Sequence, residues 1–161
     1  MRAALRGIDV PHWVAVHAVD GVPPGVYRWP DLDRPVRPGD GGLRDEVVRI
    51  CLDQSLGGDA AYVAIAGIRP AGLDDRGYRA AQLAAGVVEG RLHLAAYALG
   101  ASASGMTFID EEVPALLGEP ADFVTLLFTC VGVPEYKSRR GGGPGAPTTF
   151  RTVRPRLAPS A

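Results

Sequence analysis

The sequence predicts a single α+β domain, and three observations support this fold class. The chain has 161 residues, 47% of them hydrophobic, with 17 Lys and Arg against 18 Asp and Glu, which is typical of one globular domain. Segments rich in β-branched and aromatic residues occur alongside Ala- and Leu-rich segments with helical periodicity. The 21 Gly and 14 Pro residues predict many turns. A loop-rich α+β domain is therefore favoured over a helical bundle.

The first predicted unit is a β-hairpin. Residues 12–19 (HWVAVHAV) are rich in β-branched and aromatic side chains and precede Asp20-Gly21, a common hairpin turn. Residues 26–29 (VYRW) predict a second, shorter strand. Residues 30–42 contain several Pro and Gly and are expected to form an exposed loop.

A helix and a buried strand are predicted next. From Leu43 onward apolar residues recur close to helical spacing, and the helix is expected to end near Ser55. Gly57-Gly58 should break the chain. Residues 60–67 (AAYVAIAG) form a continuous apolar run, which is typical of a buried central strand.

The longest helix is predicted over residues 77–100, which are dense in Ala and Leu. Gly86 and Gly90 would each weaken an isolated helix by roughly 1 kcal/mol relative to Ala. Small residues at these positions favour close packing against another helix. We therefore expect a core helix that packs against partner helices, which another subunit could supply.

The last predicted elements follow this helix. Residues 101–107, mostly small, predict a loop, and Asp110 is expected to cap a short helix that ends at Gly118. Residues 122–132 (DFVTLLFTCVG) predict a buried strand. No apolar pattern continues beyond Pro134.

Charge and cysteine content argue against several classes of protein. The formal net charge of -1 removes the long-range attraction to phosphate that nucleic-acid-binding proteins usually have, so no nucleic-acid partner is expected. Cys51 and Cys130 are the only cysteines and lack CxxC spacing, which indicates buried thiols rather than a disulfide framework or a zinc site. His12, His17 and His93 lack metal-ligand spacing, so no metal site is expected.

The sequence also predicts a cytoplasmic protein without a membrane partner. The amino end lacks an apolar run long enough for a signal peptide. Residues 92–109 are free of Asp, Glu, Lys and Arg over a length close to that of a membrane span. Gly, Ser and Thr in the second half of this stretch argue against a membrane helix.

Three segments, taken in order, carry a resemblance to a known family. They are residues 24–29 (PGVYRW), residues 78–100, which begin with Tyr78-Arg79 and end with LHLAAYALG, and residues 132–134 (GVP) after a strand. In this order they resemble the nitroreductase-like flavoenzymes, especially the SagB-type dehydrogenases. The resemblance implies a partial nitroreductase-like domain over residues 1–140, with a central, mostly antiparallel sheet flanked by helices. The composition of residues 141–161, which are rich in Gly and Pro, predicts a flexible tail.

The resemblance implies an FMN-dependent oxidoreductase that transfers hydride through the flavin. Because hydride chemistry belongs to the cofactor, no catalytic side chain is expected. Carried onto this sequence, the residues that would contact the flavin ring are Ser104, Gly105, Met106 and Thr107. The residues that would contact the flavin phosphate are Lys137, Arg139 and Arg140. The family also implies a homodimer, or a heterodimer with a related chain, and a small-molecule or peptide substrate.

One element of the family pattern is absent from this sequence. Members usually begin with a helix that carries an Arg-Ser-x-Arg element for the FMN phosphate, and nothing between Met1 and Pro11 matches it. Each charge-assisted hydrogen bond lost is worth about 1.5–3 kcal/mol, so weakened FMN binding is expected. The alternative is a flavin-free scaffold or partner subunit without its own activity. A third alternative is a small-molecule-binding module.

Other residues that could bind a ligand or substrate are expected to have structural roles. An Arg at the start of a long helix, such as Arg79, more often pairs with a carboxylate or packs at a dimer seam than binds substrate. Trp13 and Trp29, on adjacent predicted strands, suit cross-strand packing.

Overall fold

A six-stranded antiparallel sheet forms the centre of the computed structural model, which describes residues 1–134. The strands are β1 (His12–Val16), β2 (Gly25–Arg28), β3 (Pro35–Pro38), β4 (Tyr62–Ile68), β5 (Ser102–Gly105) and β6 (Val124–Gly132). The helices are α1 (Leu43–Ile50), α2 (Leu56–Asp59), α3 (Asp75–Ala98) and α4 (Val113–Leu117). The strand order is β3-β2-β1-β4-β6-β5, and every neighbouring pair is antiparallel. The predicted α+β class is confirmed.

The two faces of the sheet are covered by different helices. The main hydrophobic core includes Trp13, Ile65 and Phe128 from the sheet, together with apolar residues of α1 and α4. The long helix α3 packs on the opposite face through a stripe of residues three or four positions apart: Ala85, Val88, Leu92 and Ala96. The domain therefore has the layered form in which helices and a sheet bury one another's apolar faces.

The predicted hairpin, central strand and long helix are confirmed. β1 pairs with β2 from Trp13↔Arg28 to Val16↔Gly25. β4 lies in the middle of the sheet between β1 and β6 and is almost entirely buried. A continuous apolar run is the pattern that such a doubly covered strand requires.

The predicted exposed loop over residues 30–42 is wrong in part, because β3 lies within it. This strand is short, mostly exposed, and begins and ends with proline (Pro35 and Pro38). It forms one edge of the sheet, where a residue without an N–H is tolerated because one side of the strand has no neighbour. The two prolines argued against a strand in the sequence, and the strand is possible only because it lies at the edge of the sheet.

The first helix ends earlier than predicted, and Gly57-Gly58 do not break the chain. α1 stops at Ile50, and Leu52 and Asp53 then take left-handed backbone angles with φ of 57° and 59°. Both glycines are buried in the short helix α2. A Cβ at Gly57 would lie 2.9 Å from Cys51 Sγ, so glycine here allows two segments to approach closely.

Residues 101–107 were expected to form a loop and instead contain β5. Small polar residues have weak strand propensity, so the pairing with β6 rather than the local sequence creates this strand. The expected cap at Asp110 is also wrong: the N-cap of α4 is Glu112, without a side-chain hydrogen bond. The predicted end of that helix at Gly118 is confirmed, with φ of 67°.

Both cysteines are buried free thiols, as expected. A side-chain hydrogen bond in which Cys130 donates to the neighbouring Cys51, together with burial of the site, raises the pKa of Cys130 and keeps this thiol protonated. Within residues 1–134, no helix combines the length and apolar character needed to cross a membrane. The tail expected over residues 141–161 lies outside the described residues.

Candidate functional site

The edge strand β5 contains the first two residues of the predicted flavin-binding segment. Its register with β6 pairs Ser104 with Cys130 and Gly105 with Thr129. The Met106 N–H donates to the Phe128 carbonyl at 2.8 Å. Antiparallel pairs alternate between hydrogen-bonded and non-hydrogen-bonded positions. The Ser104 N–H therefore points towards β6, whereas the Gly105 N–H points away from it.

Gly105 is the most open position of this strand. It is exposed, and no strand of residues 1–134 pairs with the outer side of β5. The neighbouring Ser104 hydroxyl lies 3.3 Å from the Gly105 carbonyl and can donate to it. The unpaired Gly105 N–H is thus a backbone donor available to a ligand, of the kind that a flavin ring requires.

The helix-facing side of Gly105 is occupied by the Glu89 side chain of α3. A Cβ at position 105 would meet the Glu89 carboxylate, so a larger residue here would require the Glu89 side chain to move aside. The same carboxylate lies 3.8 Å from His93 Nε2, one helical turn further along. Glu89 is not among the residues predicted from the sequence, although the Glu-x-x-x-His spacing places both side chains on one helix face.

The residues after β5 are anchored in the core. Met106 and Phe108 pack against the main hydrophobic cluster, and the Phe108 ring lies 5.4 Å from the ring of Phe128. Thr107, between them, is exposed. The structure therefore presents Gly105 and Thr107 to solvent on a segment whose alternate side chains are fixed. Lys137, Arg139 and Arg140, the predicted phosphate contacts, lie outside the described residues.

A second exposed feature is an apolar stripe on α3, opposite the face that packs on the sheet. We call the α3 stripe the surface formed by Leu83, Val87, Leu94 and Tyr97. Leu83 and Leu94 are 71% and 72% exposed. Gly86 and Gly90 lie beside the stripe, and a Cβ at either would meet nothing within 4 Å. No part of residues 1–134 covers this stripe, although its residue types are those of a helix interface.

The remaining residues that could take part in binding or catalysis are packed in the protein interior. Trp13 is buried and packs edge-to-face against Phe123, with ring centroids 5.0 Å apart. His12 Nδ1 lies 2.7 Å from the Val10 carbonyl, and His17 Nε2 lies 3.1 Å from that of Gly57. Burial is the main cause that lowers the pKa of both imidazoles. Both histidines are therefore packed side chains.

Comparisons with known proteins identify the architecture. Neither a family model nor a curated protein matches the sequence. A solved structure from Anabaena variabilis, provisionally assigned as a nitroreductase, is 34% identical, with a TM-score of 0.70 over 78% of this chain and 27% of that one. The Escherichia coli microcin synthetase McbBCD complex with truncated pro-MccB17 bound is 15% identical, with a TM-score of 0.63 over 79% of this chain and 52% of that one.

A third structural match is the NADPH:FMN oxidoreductase from Vibrio harveyi in complex with NAD⁺. It is 21% identical, with a TM-score of 0.52 over 62% of this chain and 51% of that one. The chain thus spans only 27% to 52% of the length of these three proteins. Over the part that it spans, this chain has the nitroreductase fold.

Proposed function

We propose that this chain is part of an FMN-dependent oxidoreductase and that the segment from Ser104 to Thr107 contacts the flavin ring. The observation that carries the proposal is the exposed, unpaired N–H of Gly105 on an edge strand of the nitroreductase fold. The likeness to the solved NADPH:FMN oxidoreductase supports the cofactor class.

The described residues fit a planar, electron-accepting ring. When bound, FMN would supply the hydride chemistry. Glycine at position 105 allows a ligand to approach the backbone closely, and its N–H can donate to a ring acceptor. Met106 and Phe108 hold the segment by packing in the core, so the donor is positioned before a ligand arrives.

The phosphate of FMN needs cationic partners. Lys137, Arg139 and Arg140 follow the last strand of the sheet in sequence, and the family resemblance supports a role for them at the phosphate. We include these three residues in the proposal on that resemblance.

We further propose a dimer built on the α3 stripe, with a second copy of this chain or a closely related chain as the partner. Burying Leu83 and Leu94, each more than two-thirds exposed, would remove apolar surface from water. Gly86 and Gly90 would allow the partner helix to approach closely. The motif resemblance favours a SagB-type dehydrogenase within this class, acting on a small molecule or a peptide.

Flavin titration of backbone variants tests the ring-binding proposal. Gly105→Pro removes the outward N–H, and Glu89→Ala removes the carboxylate that the new side chain would meet. We expect the Glu89→Ala single variant to bind FMN and quench its fluorescence. The Glu89→Ala/Gly105→Pro double variant should bind FMN at least tenfold more weakly. Equal affinity of the two variants would remove Gly105 from the proposed site.

One contact favours the flavin-free alternative, a scaffold or partner subunit. The Glu89 carboxylate lies against Gly105, and its negative charge disfavours the anionic reduced form of a flavin on the helix-facing side of β5. Purification distinguishes the two functions. A yellow protein that releases FMN on denaturation supports the oxidoreductase, and a colourless dimer that does not quench added FMN supports the scaffold.

A further inference from the structure

A charged cleft lies at the end of the sheet where β1 and β6 begin and β2 and β4 end. Its volume is about 270 Å³. The lining residues used below are Trp13, Arg28, Ile68, Arg69, Glu119 and Phe123. No residue of β5 lines it, so this cleft is separate from the segment proposed to contact the flavin.

Two guanidinium groups in the cleft share one carboxylate. The Glu119 side chain is 8% exposed, and its Oε2 accepts from Arg69 Nη2 at 2.7 Å and from Arg69 Nε at 3.0 Å. Its Oε1 lies 3.6 Å from Arg28 Nη1, which is an ion pair longer than a hydrogen bond. Among these three side chains one positive charge is uncompensated.

The arginine side chains are held in place yet remain open to solvent. Arg28 lies 4.7 Å above the Trp13 ring, a cation–π contact, and its side chain is 52% exposed. The Arg69 side chain is 62% exposed, and its Nη1 is not among the atoms bonded to Glu119. Both guanidinium groups therefore keep donors for a further acceptor, with the planar geometry that suits carboxylates and phosphates.

We propose that this cleft binds the anionic group of a small organic acid, a carboxylate or a phosphate ester, between Arg28 and Arg69. Its volume is slightly below the roughly 300–1,000 Å³ of sites for drug-sized ligands, so the ligand has about the size of one ring with its anionic group. Ile68 and Phe123 supply the apolar contacts for the ring. Binding would neutralise the uncompensated positive charge.

Tryptophan fluorescence tests the proposal in the full chain. The chain has two Trp residues, so Trp29→Phe leaves only Trp13, which lies under Arg28. In this background, benzoate and phenyl phosphate should change Trp13 fluorescence in a saturable way, and neutral benzamide should not. A benzamide response equal to that of benzoate would overturn the role of charge.

Arginine variants locate the binding. Arg69→Gln and Arg28→Gln should each weaken benzoate binding at least tenfold, while Arg34→Gln, a change of equal charge at an exposed arginine outside the cleft, should leave it unchanged. Arg69 is mostly exposed, so its variant should fold even if Arg28→Gln does not. Wild-type affinity in a folded Arg69→Gln, or equal weakening by Arg34→Gln, would overturn the proposal.

Competition separates this site from the proposed flavin site. FMN that leaves phenyl phosphate binding unchanged supports a distinct anion site. FMN that displaces phenyl phosphate from Trp13, where riboflavin does not, would assign the cleft to the flavin phosphate and overturn a separate site. Failure of flavin binding at Gly105 does not affect either result.

Discussion

The two edges of the sheet are both four-residue strands, but they differ in whether a further strand or a ligand can bind to their backbone. β3 begins and ends with proline, and its Arg37 forms an ion pair with Glu46 at 2.7 Å. β5 carries only Ser, Ala and Gly and leaves the Gly105 N–H unpaired. Proline and charge at an edge prevent further strand pairing. The contrast indicates that β3 is closed to partners, whereas β5 is open to a ligand.

The largest effect should come from the core that anchors the open edge. Phe128→Ala removes a fully buried ring that contacts Phe108, so the free energy of unfolding should fall by about 3–5 kcal/mol in denaturant titrations. Val36→Ala on β3, 49% exposed, should change it by less than about 0.5 kcal/mol. Similar losses in both variants would contradict a difference in anchoring between the edges.

Proline substitution along β5 should reveal which N–H groups are used. Ser104→Pro removes a donor that points towards β6 and leaves an acceptor unpaired, at a cost of about 1–3 kcal/mol in the free energy of unfolding. In the Glu89→Ala background, Gly105→Pro should cost less, because that N–H has no partner in the sheet. If Gly105→Pro is the more costly change, the assigned register of the open edge is wrong.

Acid should destabilise the folded domain through two histidines on and beside the interior strand β1, rather than through residues of either edge strand. His12, on β1, and His17, just after it, are buried with lowered pKa values, chiefly because of desolvation. The unfolded chain therefore binds protons near the ordinary pKa of 6.5, before the folded chain does. Stability should be complete above this pH and should decrease as the pH falls below it.

Urea unfolding at a series of pH values measures this dependence. His12→Gln and His17→Gln should each flatten it, and the double variant should flatten it most. A double variant with the wild-type pH dependence would show that other groups cause the loss.

The smallest effect should come from the ion pair at the closed edge. Arg37 and Glu46 are 32% and 25% exposed, so the pair is partly solvated and should contribute about 0.2–1 kcal/mol. A double-mutant cycle of Arg37→Ala and Glu46→Ala measures the coupling. A coupling free energy well above this range would mean that the ion pair stabilises β3 in addition to preventing it from pairing with a further strand.

The interior elements could be predicted from the sequence, whereas the two edge strands could not. β4 and β6 are continuous apolar runs, and α3 has a long periodic pattern, so their own residues predict them. β3 and β5 were missed because Pro, Ser and Gly have low strand propensity, and only the neighbouring strands make them part of the sheet.

The candidate site shows the same limit. The family resemblance placed the segment from Ser104 to Thr107, and this assignment stays a prediction. Which N–H of the segment is unpaired depends on the register with β6, which no local pattern encodes. The contact between Glu89 and Gly105 likewise joins residues from different elements.

Because α3 packs on the sheet through one face only, the stability of the folded state should depend on protein concentration. Only one face of this 24-residue helix is covered by the sheet, while Leu83 and Leu94 face water. If a second chain covers them, as proposed, folding and association are linked by mass action, and the melting temperature should rise with protein concentration. Replacing Leu94 with Glu should abolish that rise.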